Sequence, residues 1–151
     1  MRVLVINGPN LSTIGRRQPA VYGTTTLAQI RERLEGQAAT LNVELRWEQS
    51  NHEGTLIDII EEETGRSDAL VINPGGLAHT SVVLADAVRG FTGPVVEVHL
   101  SNILAREEYR RTSHVAAAAT AVITGAGAAG YTLALEAAVS LAGGTTTETF
   151  R

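Results

Sequence analysis

The strongest constraint on this chain is an alternation that runs from end to end. Short apolar runs give way to polar, Gly- and Pro-punctuated segments, and these lead into apolar stripes at helical spacing. The runs predict strands at Val3–Ile6, Val43–Trp47, Ala69–Ile72, Val95–Leu100 and Ala121–Thr124. Thr24–Thr26 offers an N-cap to a helix whose apolar stripe is Leu27, Ile30, Leu34, Ala38 and Leu41. Leu56, Ile57, Ile59 and Ile60 mark a second helix, with Glu61–Glu63 on its solvent side and Gly65 just past its end. A third is predicted from Thr80 or Ser81 to Arg89, a short charged turn at Arg106–Arg111, and a last helix at Tyr131–Leu141.

Strands that read as unbroken apolar runs belong to a parallel sheet buried on both faces. The expected fold is therefore α/β: a flavodoxin-like, doubly wound, five-stranded parallel sheet with helices on both faces. No repeat or linker divides the chain, so residues 1–151 are expected to form a single catalytic domain, with 143–151 a frayed polar tail.

Composition removes several chemistries. There is no cysteine, hence no thiol nucleophile, Cys-ligated zinc or iron–sulfur centre. There is no lysine either: all 12 basic residues counted as Lys+Arg are arginines. A Schiff-base mechanism and a P-loop are both excluded. The formal net charge of −4 and the few aromatics argue against nucleic acid. The longest apolar stretch, Val115–Ile123, falls short of the roughly 20 residues a membrane helix needs. No signal peptide is visible ahead of the first strand, and a cytoplasmic location is expected.

Polar residues cluster where a doubly wound sheet binds ligands, beyond the carboxyl ends of its strands. Asn7 and Asn10 follow the first strand, Asn51, His52 and Glu53 the second, and Asn73 the third; Glu97, His99, Ser101 and Asn102 lie at or after the end of the fourth. Residues 7–23 form a long loop carrying Arg16, Arg17 and Tyr22. It is either a solvated surface segment or a binding loop or lid. Glu97 and His99, two apart in an apolar strand, point to one face, as a structural pair or as site residues.

Three motifs are set aside. Gly125–Gly130 spells G-x-G-x-x-G, but no second strand follows its helix, so it reads as a tight turn with close helix–sheet packing. His79, Ser81 and Asp86 lack a nucleophile elbow. No compact set of ligands suggests a metal, and none is expected; His114 reads as a surface or interface residue.

Arginines with a tyrosine, a Glu-x-His at a strand end and several asparagines suggest acid–base chemistry on a small oxygenated anion. A phenol, with a reference pKa of ~10, becomes a usable base beside a guanidinium. His99 suits a general acid near neutral pH, and asparagine amides stabilise an enolate without carrying charge.

The stretches INGPNL (6–11), GRRQPAVYG (15–23), QSNHEG (49–54), INPGGLAHTS (72–81), EVHLSN (97–102) and AREEYRRTS (105–113) together resemble the type II 3-dehydroquinate dehydratase family over nearly the whole chain. The resemblance implies cofactor-free conversion of 3-dehydroquinate to 3-dehydroshikimate and water, in the shikimate or quinate pathway. It makes Tyr22 the base, Arg17 the residue that holds Tyr22 as phenolate, Asn10 with a water the enolate stabiliser, and His99 the acid oriented by Glu97. It assigns the substrate carboxylate to Asn73 and the amides of Leu100 and Ser101, and the ring hydroxyls to His79 and Arg110. Arg106 is implied to support the closed site. Asp86 is implied to reach a neighbouring subunit in trimers that assemble into dodecamers. Three positions depart from the family pattern: Gln18 for a usual glutamate, Leu104 for a frequent histidine, and Ala85 for a common arginine. The alternative from another class is a flavodoxin-like phosphate- or nucleotide-binding module without catalysis; the segment after the first strand lacks the Ser/Thr-rich loop it would need.

Overall fold

The computed structural model describes residues 1–144, so the expected frayed tail lies, from residue 145 on, outside the described residues. The strands are β1 (Arg2–Asn7), β2 (Glu44–Gln49), β3 (Ala69–Asn73), β4 (Val95–His99) and β5 (Ala121–Thr124). The helices are the single turn α1 (Pro19–Tyr22), then α2 (Leu27–Leu41), α3 (Glu53–Glu63), α4 (Val82–Gly90) and α5 (Ala129–Ala142). All pairings are parallel, in the order β2-β1-β3-β4-β5, which is the doubly wound sheet expected from the alternation.

Side chains of a strand alternate between faces, and the two cores follow that period. Val3, Val5, Ala69, Val71, Val96 and Val98 point to one side, under α2 and α5. Leu4, Ile6, Leu70, Ile72 and Val95 point to the other, under α3 and α4. Burying each aliphatic side chain contributes about 1.5–3 kcal/mol, which favours this register over a one-residue slip. The alternation also sorts polar residues. Asn7 and Asn73 fall on the α2/α5 side, whereas Glu97 and His99 fall on the α3/α4 side.

Local signals start the helices. Thr26 caps α2 by a full capping box: its hydroxyl accepts from Gln29 N–H (3.2 Å), and the Gln29 side chain accepts from Thr26 N–H (3.0 Å). Ser81 caps α4 by accepting from Leu84 N–H at 2.9 Å. Helix α5 starts two residues earlier than its apolar stripe predicts. Gly130 lies so close to β4 that a Cβ there would meet Val98 Cγ2 at 3.2 Å, and the chain is already helical as it passes the sheet. The expected charged turn at Arg106–Arg111 is narrower, a 3-10 turn over Glu108–Arg110.

The chain leaves β1 for β2 on one side and reaches β3 on the other, so loops diverge from the carboxyl ends of β1 and β3. Here two backbones nearly touch. Gly8 N–H donates to Asn73 C=O at 2.8 Å, and a Cβ on Gly8 would lie 2.4 Å from the Pro74 carbonyl oxygen. Only glycine lets these loops meet.

Candidate active site

A cleft of about 120 Å³ opens at this switch point. Its walls are the ends of β3 and β4, the 9–22 segment and the 99–110 segment. Asn10, Arg17, Tyr22, Asn73, His79, His99, Leu100, Ser101, Arg106 and Arg110 all line it. Glu97 is fully buried behind His99. Asp86 lies outside this chain's cleft, exposed on α4 and bonded to Arg89 at 2.7 Å.

The 7–23 segment supplies one wall because Leu11 and Ile14 anchor it in the α2/α5 core. Asn10 takes a left-handed backbone (φ 67°), and its N–H donates to Asn51 Oδ1 at 3.0 Å. Asn51, on the turn after β2, thus holds the loop in shape. Tyr22 ends the helical turn α1 beneath two cations. The guanidinium carbons of Arg17 and Arg106 each lie 5.5 Å from its ring centroid. Of the two, Arg106 reaches the phenol oxygen, with Nη1 at 3.4 Å, and also donates to Ser101 Oγ at 3.1 Å. The bond to Tyr22 holds the Arg106 guanidinium above its ordinary pKa, against the opposing effect of burial. Arg17 faces the ring rather than the hydroxyl.

On the opposite wall, Glu97 Oε1 accepts from His99 Nε2 and, at 2.7 Å, from Ser113 Oγ. The bond to Glu97 fixes the imidazole and leaves Nδ1 as the ring nitrogen for a ligand. His79 stacks on His99 with centroids 6.3 Å apart. Its Nδ1 lies 2.8 Å from Thr112 C=O. A carbonyl only accepts, so Nδ1 carries the proton and neutral His79 presents an Nε2 lone pair. Glu107 gathers two cleft arginines, Arg106 Nε at 3.2 Å and Arg110 Nε at 3.4 Å. A bond to its own backbone N–H, then the two arginines, hold its carboxyl below the usual range.

The sequence marks Asn51 as a polar residue after the second strand but not as the brace of Asn10, and three further residues escape it: Glu107 as the arginine clamp, Ser113 behind Glu97, and Tyr131. The last is fully buried at the start of α5, where its hydroxyl bonds Asn73 (2.9 Å) and Asn7 (2.7 Å). A tyrosine in an otherwise Ala-, Gly- and Leu-rich helix was the available signal. The G-x-G-x-x-G stretch packs closely, with Gly125 against Asn102 and Gly130 against Val98. Among the described residues, no group of three or more His, Cys, Asp or Glu side chains is arranged to hold a metal. None of the helices there is long and apolar enough to cross a membrane.

Fold and cleft define a doubly wound α/β protein with a cleft of arginine, tyrosine, histidine and asparagine side chains at its switch point. Comparison with known proteins takes this further. The family model for dehydroquinase class II matches residues 1–139, and the chain belongs to that family. The chain is 56% identical over 137 residues to a 3-dehydroquinate dehydratase of Gloeobacter violaceus, covering 91% of this chain and 86% of that one. It is 54% identical over 135 residues to a catabolic 3-dehydroquinase of Verticillium alfalfae, covering 89% and 90%. The crystal structure of a type II dehydroquinase from Butyrivibrio crossotus superposes with a TM-score of 0.89 at 37% identity, covering 91% and 96%.

Proposed function

We propose that the chain is a hydro-lyase that eliminates water from 3-dehydroquinate to give 3-dehydroshikimate, as a single catalytic domain without a cofactor. Tyr22 takes the proton from C2, next to the ketone, and the C–H electron pair moves into an enolate. Asn10, through a held water, donates to the enolate oxygen. The enolate then collapses to the conjugated enone, and the C1 hydroxyl leaves as water with a proton from His99.

The remaining side chains bind and orient. A neutral His99 that donates Nε2–H to Glu97 has no proton on Nδ1, so the form that gives up a proton there is the imidazolium. Asn73 and the amides of Leu100 and Ser101 take the substrate carboxylate. His79, with Nε2 as acceptor, and Arg110 take ring hydroxyls. Arg17 and Arg106 put positive charge around the Tyr22 phenol. The same reading includes trimers assembled into a dodecamer, with Asp86 directed at a neighbouring subunit, and a cytoplasmic location.

The observation that carries the proposal is the pairing, across one cleft, of a phenol under two guanidiniums with an imidazole backed by a buried carboxylate. Replacing Tyr22 by Phe keeps the ring and removes the base. The expected loss in kcat is about 10²–10⁴-fold with Tm unchanged. Wild-type turnover in Tyr22→Phe contradicts the assignment of the base.

A further inference from the structure

Asn7 and Asn73 are register partners on neighbouring strands, and both leave the sheet on the side that α5 covers. The hydroxyl of Tyr131 sits between them. Asn73 Nδ2 donates to it at 2.9 Å, and it donates to Asn7 Oδ1 at 2.7 Å. Backbone groups close both ends of this chain of bonds. Asn7 Nδ2 donates to Glu48 C=O at 3.0 Å, and Asn73 Oδ1 accepts from Gly75 N–H at 3.1 Å. Asn7 and Tyr131 are wholly buried, and Asn73 is 2% exposed.

The two ends give the chain a direction. A carbonyl only accepts and a backbone N–H only donates, so neither carboxamide is free to flip. Between them stands a group that must accept from one amide and donate to the other, and a neutral hydroxyl does both. Burial, opposed in part by the bond from Asn73, raises the Tyr131 pKa far above its ordinary value and keeps it neutral. A carboxamide nitrogen carries two protons. One goes to Tyr131, and since Asn73 lines the cleft, the other is available to a ligand there.

We propose that Tyr131 is a positioning residue for the anionic end of the substrate: through its hydroxyl it locks the Asn73 amide with one N–H aimed at the carboxylate. The inference rests on the reading of Asn73 as a carboxylate ligand. It predicts a binding defect, since the hydroxyl touches neither the proposed base nor the proposed acid.

The test is steady-state kinetics with 3-dehydroquinate on the wild type, Tyr131→Phe, Asn73→Ala, the double variant and Leu135→Ala. Leu135 is a fully buried core residue of the same helix without a polar role. Tyr131→Phe is expected to raise KM about tenfold, as for one weakened hydrogen bond to a charged group, with kcat held within about threefold. In the Asn73→Ala background it adds little, because its target is gone. Leu135→Ala lowers Tm and leaves KM unchanged. Asn7→Ala, which frees the hydroxyl proton, gives a smaller rise of the same sign and serves if Tyr131→Phe does not fold. A wild-type KM in Tyr131→Phe or Asn7→Ala overturns the inference. So does a full-sized effect in the Asn73→Ala background, or an equal KM rise in Leu135→Ala. A wild type that turns over nothing overturns the dehydratase reading instead, and the two failures are distinct because no variant then has a KM.

Discussion

Tyr22 meets its two arginines in different ways. Arg17 lies over the ring, whereas Arg106 also reaches the oxygen. A cation at the oxygen stabilises a developing phenolate more than one over the ring face, because the charge resides at the oxygen. Arg106→Ala is therefore expected to lower kcat about 10–100-fold while Tm stays within roughly 2 °C, measured by steady-state assay and thermal melts. Unchanged kcat in Arg106→Ala would remove it from the environment of the proposed base. Asn10, Asn73, His99 and Ser101 were legible as polar residues at or just after the ends of apolar strands, whereas Arg17, Tyr22, His79, Arg106 and Arg110 lie further along the loops and take their site roles from the motifs of the resemblance. The division of labour between the arginines was not legible. Arg106 stands 84 residues from Tyr22 in the chain, and the paths of two irregular loops decide their contact. Tyr131 was hidden for a similar reason: its partners end strands far away in the sequence.

The helices and strands that carry the core follow the apolar periods closely, as α2 does, running from Leu27 to Leu41 along its stripe. The short 3-10 turns at 11–13, 75–79, 103–105 and 108–110 bring Leu11, Gly75, Gly76, His79, Ile103 and Arg110 to the cleft, and a turn of a few residues has no period to read. They are held by side chains instead. Thr124 Oγ1, at the end of β5, donates to Ser101 C=O (3.0 Å) and accepts from Ile103 N–H (3.2 Å). Ser113 ties the arginine-bearing segment to Glu97 and accepts from Ala116 N–H at 3.0 Å. Ser113→Ala is expected to lower kcat about tenfold through a less well-held Glu97–His99 pair, with KM nearly constant. Equal falls in kcat and Tm-corrected folding yield would show a purely structural role. At the loop crossing, Gly8→Ala forces a Cβ against the Pro74 carbonyl. It is expected to destabilise the fold by about 1–3 kcal/mol, read by chemical denaturation.

Taken as a unit, the chain has its candidate cleft at the carboxyl edge of the sheet and an ion network at the opposite edge. Glu63, 1% exposed, accepts from Arg46 (2.6 Å), Arg2 (3.1 Å) and Ser67 (2.5 Å). Burial alone would raise its pKa, but the bonds from Ser67 and Arg46 and the charge of Arg2 outweigh it and hold the carboxyl below its ordinary range. A group that ionises more readily when folded adds stability above its unfolded pKa, and that stability is lost as the pH falls through the folded value. Glu63→Gln is expected to lower Tm at pH 7 by roughly 5–10 °C and to flatten the fall in Tm between about pH 5 and pH 3. Melts across that range check it; an unchanged slope would assign acid sensitivity elsewhere. The sequence places Glu63 on the solvent side of its helix with Glu61 and Glu62, but it is buried because Arg2, Arg46 and Ser67, from three other segments, close over it. The measurement that bears most directly on the proposed activity is a dehydration assay. Purified protein is mixed with 3-dehydroquinate, without metal or nucleotide, and the ultraviolet absorbance of the conjugated enone is followed. A rise that survives chelator and borohydride, and is lost in Tyr22→Phe, is the predicted result. No rise from folded protein would contradict the proposal.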